Sequence, residues 1–161
     1  MIRICNFIAF CFFIAVPELR AHSTTLGAAI INEGSFVQDR NRHQVELNIK
    51  LSEQVPFRIY FLDKPKTLVI EFAAKELQNV DLKNFMMSES VADVKSRHVD
   101  EGWFSLSLEL VKSLGLKSAE MRRDGSTGTV NLSIWLEPIT RKEFLHLSNL
   151  HANAVDARFS K

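Results

Sequence analysis

The sequence predicts an all-β protein: a β-sandwich of two small sheets with quasi-repeated halves, followed by a short C-terminal helix. Three observations lead there. Gln44–Phe72 holds three alternating apolar runs separated by two turn-like interruptions. The pattern returns at Phe104, 59 residues after Val45. Beyond Pro138 the apolar spacing changes from period two to a helical one. A period of two gives each strand one apolar face, and two related sets of strands bury those faces most economically against each other.

The chain opens with residues that read as a secretory signal peptide, Met1–Ala21. Arg3 supplies the positive start, Ile4–Val16 the apolar stretch, Pro17 a helix break, and Ala21 a small residue for cleavage. A spanning helix needs about 20 apolar residues, so export to the periplasm is the expectation rather than anchoring. Cys5 and Cys11 both lie in this segment, so the exported part has no disulfide, thiol nucleophile or thiolate metal site. Arg3, Arg20 and Glu18 leave with it, and 18 basic and 18 acidic residues remain. That balance argues against nucleic acid as a partner, which needs clustered cations. The remaining length, about 140 residues, is enough for a hydrophobic core.

Residues 22–42 are expected to hold a first strand at Leu26–Ile31 and then a polar loop, Glu33–Arg42. The sandwich is assigned to residues 43–138. Val45, Leu47, Ile49 and Leu51 alternate with Glu46, Asn48 and Lys50, a strand with one wet face. Ser52–Pro56 turns the chain into a second strand through Phe57, Ile59 and Phe61. Asp63-Lys64-Pro65-Lys66 has turn chemistry, and Leu68, Ile70 and Phe72 make a third strand. Ala73–Lys83 is compatible with a short helix or a loop, and Val91–Val99 with a further strand. Phe104, Leu106, Leu108 and Leu110 then repeat the first strand, Leu114 and Leu116 match Val55 and Phe57, and Val130–Leu136 echoes Leu68–Phe72. Asp124-Gly125 marks a hairpin turn between them. Residues 139–161 are read as a tail helix or the start of a linker, with capping-box spacing at Thr140 and Glu143.

These residues resemble a known module. Gln54-Val55-Pro56-Phe57-Arg58, Leu62–Phe72 and Gly102–Leu110, in that order and spacing, are similar to the AMIN domain. That domain precedes the catalytic domain of bacterial N-acetylmuramoyl-L-alanine amidases. The likeness covers about residues 43–138. It implies a two-sheet sandwich with quasi-symmetry and a non-catalytic role in the periplasm: binding peptidoglycan and delivering an attached enzyme or secretin to the envelope or division site. Thr67 and Ser105 depart from it, standing where the family often carries arginine. The family's zinc site, two histidines and a glutamate in a separate C-terminal domain, has no counterpart here, so the chain is not expected to be an enzyme. Two other readings stay open: the N-terminal part of a zinc amidase whose catalytic domain is missing, and an envelope module binding divisome or secretin proteins.

No catalytic pattern competes with this. The chain has no H-E-x-x-H, no G-x-S-x-G and no phosphate-cradling glycine loop. Ser88, Ser90 and Ser126 fall in polar loops. His22, His43, His98, His146 and His151 form no ligand cluster and are read as solvated, so no metal and no cofactor is expected. Asp100-Glu101 beside Trp103 reads as a solvated turn. For a wall ligand the candidate contacts are Trp103, Trp135 and Tyr60 as stacking platforms for sugar. Arg58, Lys64, Lys66 and Arg97, with Lys117, Arg122 and Arg123, are candidates for stem-peptide carboxylates. The bland alternatives are aromatics covering a sheet edge or packed under the tail helix, and ordinary surface charge.

Overall fold

The computed structural model describes residues 34–40, 43–73, 82–100 and 102–159, with the backbone alone for 100 and 152–159. The signal-peptide assignment, the strand read at Leu26–Ile31 and most of Ala73–Lys83 lie outside these residues. The described chain forms β1 (Phe36–Asp39), β2 (Val45–Leu51), β3 (Phe57–Leu62) and β4 (Thr67–Phe72). After a 3-10 turn at Leu82–Phe85 come β5 (Val91–Asp100), β6 (Trp103–Leu110), β7 (Leu114–Arg123), β8 (Val130–Pro138) and the helix α1 (Arg141–Phe159). Two antiparallel four-stranded sheets result, sheet A in the order β1-β2-β8-β7 and sheet B in the order β3-β4-β6-β5.

The alternation in the sequence determines which side chains meet between the sheets. On sheet A, Val45, Leu47, Ile49 and Leu51 of β2 lie beside Val130, Leu132, Ile134 and Leu136 of β8, all buried. On sheet B, Leu68 and Ile70 of β4 pair with Leu108 and Leu106 of β6 and are buried too. Each such side chain contributes about 1.5–3 kcal/mol of burial, and these four inner strands form the middle of the core. The sides between the sheets are closed separately. Phe85, on the 3-10 turn, enters the core from one side, and Phe144, on α1, meets Phe61 edge-on with ring centroids 5.6 Å apart.

The quasi-repeat is present, but it is built differently from the expectation of three strands per half. Each half has four strands, because Phe36–Asp39 pairs with β2 instead of forming part of a polar loop. The sandwich therefore begins ahead of residue 43. The halves also do not form one sheet each. The hairpin β1-β2 joins β8-β7 in sheet A, while its counterpart β5-β6 joins β4-β3 in sheet B. Exchanging the halves maps one sheet onto the other, and both sheets contain strands from both halves. The match slips at β7, where Lys117 bulges out of register between Leu116 and Ser118.

The Thr140–Glu143 capping box forms as read. The Thr140 N–H and hydroxyl donate to Glu143 Oε2 at 2.8 Å each, and the Glu143 N–H donates back to Thr140 Oγ1 at 3.3 Å. From there α1 runs along the outer edge of β3, pinned by an Arg141–Asp63 ion pair at its start.

Candidate functional site

Four of the ten residues proposed as wall contacts come together on the outer face of sheet B. Their neighbours Ile59, Ile70 and Leu106 face the core, which leaves the alternate positions outward. Cross-strand register then places Arg58, Glu71, Ser105 and Arg97 in one row across all four strands. The next row is Tyr60, Val69, Ser107 and Lys95. Trp103 opens β6 directly after Gly102, which turns the chain at φ +84°, a conformation that suits glycine.

The centre of this face is Glu71, only 3% exposed although it is on the outer side. Burying a carboxylate costs several kcal/mol unless it is paired and hydrogen-bonded, and here it has two partners. Arg58 Nε forms an ion pair with Oε2, and the Tyr60 hydroxyl donates to Oε1 at 2.8 Å. The Arg58 guanidinium carbon lies 4.4 Å from the centre of the Trp103 ring, so one arginine holds the carboxylate and covers the indole at once. Tyr60 is in turn covered by His151 of α1, stacked at 3.7 Å and 8°. Burial, followed by the hydrogen bond to Glu71 and the charge of that carboxylate, pushes the Tyr60 phenol up to about 12.

The other row members are less engaged. Ser105 is completely buried on its outward position, and its Oγ has no hydrogen-bond partner among the described residues. Arg97 is exposed and makes no ion pair among them, although its charge reaches the Tyr60 hydroxyl. The two positions that depart from the AMIN pattern are thus both buried on this face, Ser105 fully and Thr67 at 8% exposure. Thr67 donates to the Pro65 carbonyl at 3.0 Å.

The remaining candidates are elsewhere. Trp135 is on the outer face of sheet A, opposite Glu46, so the two tryptophans occupy different sheets and cannot flank one ligand. A cavity of about 400 Å³ lies beside it, lined by Asp39, Arg40 and Gln44. Lys64 and Lys66 belong to the β3–β4 turn and line a separate cavity of about 710 Å³ with Arg141, and Lys66 Nζ donates to the Val111 carbonyl at 3.2 Å. Lys117 faces Glu137 at 3.9 Å, Arg122 pairs with Glu120 at 2.6 Å, and Arg123 donates to the Gly128 carbonyl.

Several side chains differ from their sequence reading. His151, read as solvated, is half-buried against Tyr60, whereas His98 is exposed as read, with Phe104 edge-on at 5.1 Å. Ser88 and Ser90 lie in the loop ahead of β5 as read, but both are buried there and donate to Asp39. The side chains of Asp100 and Glu101 lie outside the described residues. Among the described residues no group of three or more His, Cys, Asp or Glu is placed to hold a metal ion. Glu71 was missed as a site residue, although a lone charge inside the otherwise apolar run TLVIEF is a readable signal.

No family model and no curated protein sequence matches the chain.

Proposed function

We propose that the protein is a non-catalytic peptidoglycan-binding domain of the AMIN type, exported to the periplasm, which targets a partner to the cell wall. The observation that carries this reading is the outer face of sheet B, where Arg58, Tyr60, Trp103 and Arg97 are gathered on paired strands around one buried carboxylate. A binding site held on strands is pre-organised, which lowers the ordering cost of binding. Its chemistry is that of a sugar–peptide polymer: an indole for the apolar face of a pyranose and a guanidinium for acidic groups. The likeness of Gln54–Arg58, Leu62–Phe72 and Gly102–Leu110 to the AMIN pattern supports the same assignment. Co-sedimentation with purified sacculi is the test. The protein is expected in the pellet, with Trp103→Ala shifting it to the supernatant. Wild-type protein that stays in the supernatant sinks the proposal.

A second reading, an envelope module that binds protein, is favoured by β7. This ten-residue strand is an edge of sheet A, with no further strand paired to it among the described residues. Beside it, a groove of about 610 Å³ is lined by Leu116, Ile139 and Leu147. Open edges of this kind accept an added strand. Leu116→Asp would abolish that interaction and leave sedimentation with sacculi unchanged.

A further inference from the structure

The outer face of sheet B carries an imbalance that the Arg58–Glu71–Tyr60 cluster does not account for. Across its row, Arg58 is neutralised by Glu71, and in the rows beyond, Lys95 is paired with Asp93 at 2.9 Å. Arg97 remains as the cation of that row without an acid among the described residues. Its neighbour in register is Ser105, whose hydroxyl is fully buried and has no hydrogen-bond partner among those residues. Folded proteins seldom leave a buried hydroxyl unpaired, and the exceptions call for a reason. An uncompensated guanidinium beside an orphaned hydroxyl is a donor set that lacks an acceptor.

We infer that Arg97 and Ser105 form a carboxylate subsite, which takes a free carboxyl group of a wall stem peptide while the adjacent sugar lies on the Trp103 side. The inference rests on the wall-binding reading and adds to it the acidic group recognised and the two residues that recognise it. Arg97 presents a planar fork that suits the two oxygens of a carboxylate. The Ser105 Oγ–H, next to Arg97 in register and without a partner among the described residues, is the donor for one of those oxygens. Arg58 and Tyr60 do not take this role, because Glu71 already occupies both.

The experiment compares sedimentation of the purified protein with intact sacculi and with sacculi whose carboxyl groups have been amidated by a carbodiimide and ammonia. Intact sacculi are expected to bind the wild type about tenfold or more tightly than amidated sacculi, the range for a charge-assisted pair. Arg97→Ala should lose the preference, and Arg97→Lys should recover part of it. Ser105→Ala provides the control against a purely structural role. Its side chain makes no hydrogen bond to lose among the described residues, so its melting temperature should stay unchanged while its binding to intact sacculi weakens. Equal binding of wild type to both kinds of sacculi overturns the subsite and leaves the wall reading standing. So does an Arg97→Ala variant that keeps the preference. Failure of the wild type to bind either kind overturns the wall reading, and the subsite with it.

Discussion

Glu71 shows how one acidic residue sets the chemistry of a whole sheet face. In a strand otherwise built of Thr, Leu, Val, Ile and Phe it is paired with Arg58 and bonded by Tyr60, and those two partners are thereby fixed on the surface. Replacing Glu71 with Ala removes both bonds and leaves a guanidinium and a phenol unpaired. Its expected cost is about 1–3 kcal/mol in chemical denaturation, kept below the range for a fully buried pair because Arg58 is 40% exposed. Tyr60 gives a direct readout, being the only tyrosine in the chain. Its phenol titrates at about 12 in the folded protein against 10.0 ordinarily. A pKa raised by folding means that the stabilisation is complete below pH 10 and is lost as pH rises toward 12. Tyrosinate absorbance should therefore show one transition near 12 in native buffer and one near 10 in denaturant. A native transition near 10 would mean that the hydroxyl does not reach Glu71. The outward direction of Arg58, Tyr60 and Trp103 was legible because alternation assigns a side to every strand residue. The role of Glu71 was not, because its partners are set by which strands are neighbours.

At the scale of elements, α1 combines a local signal with a tertiary one. Its start is specified by the Thr140–Glu143 box, in which the backbone N–H and then the hydroxyl of Thr140 hold the Glu143 carboxyl below its usual range. Its position is specified by Phe144, fully buried in the core. Thr140→Ala should cost about 1 kcal/mol, and Phe144→Ala about 3–5 kcal/mol, both read from urea denaturation midpoints. A helix that mattered only as a tail would show neither loss. The box was readable from spacing alone, as were β2, β4, β6 and β8, each with an apolar residue at every second position. β1 was not, since Phe36 and Val37 stand among polar residues and become a strand only by pairing with Asn48 and Leu47. The separation of Trp103 from Trp135 was hidden for a related reason. Periodicity places both outward, but sheet membership places β6 and β8 on opposite sides of the molecule.

For the whole molecule, the exchange of hairpins between sheets makes the sandwich one cooperative unit, and Asp39 adds a tie between the sheets at one edge. At the end of β1 it accepts hydrogen bonds from Ser88 Oγ and the Glu89 N–H at 2.9 Å each and from Ser90 Oγ at 2.5 Å, all just ahead of β5. Burial alone would raise its pKa, but the bonds from Ser90, Ser88 and Glu89, with the charge of Lys112, outweigh that and hold it below 3.8. A lowered folded pKa means that the contribution is present above about 3.8 and is lost as pH falls through the folded value. Asp39→Asn should therefore lower stability at pH 7 by about 1 kcal/mol and flatten the acid limb of the stability curve. An unchanged acid limb would count against this tie. The strand order has a further consequence for biosynthesis. The inner partner of β2 in sheet A is β8, the last of the described strands to leave the ribosome. Until Pro138 has emerged, Val45, Leu47 and Ile49 lack a full set of β8 neighbours in Leu136, Ile134 and Leu132, and sheet A stays incomplete. A premature stop before β8 does not trim the protein at one end: it removes the centre of the first sheet the ribosome began.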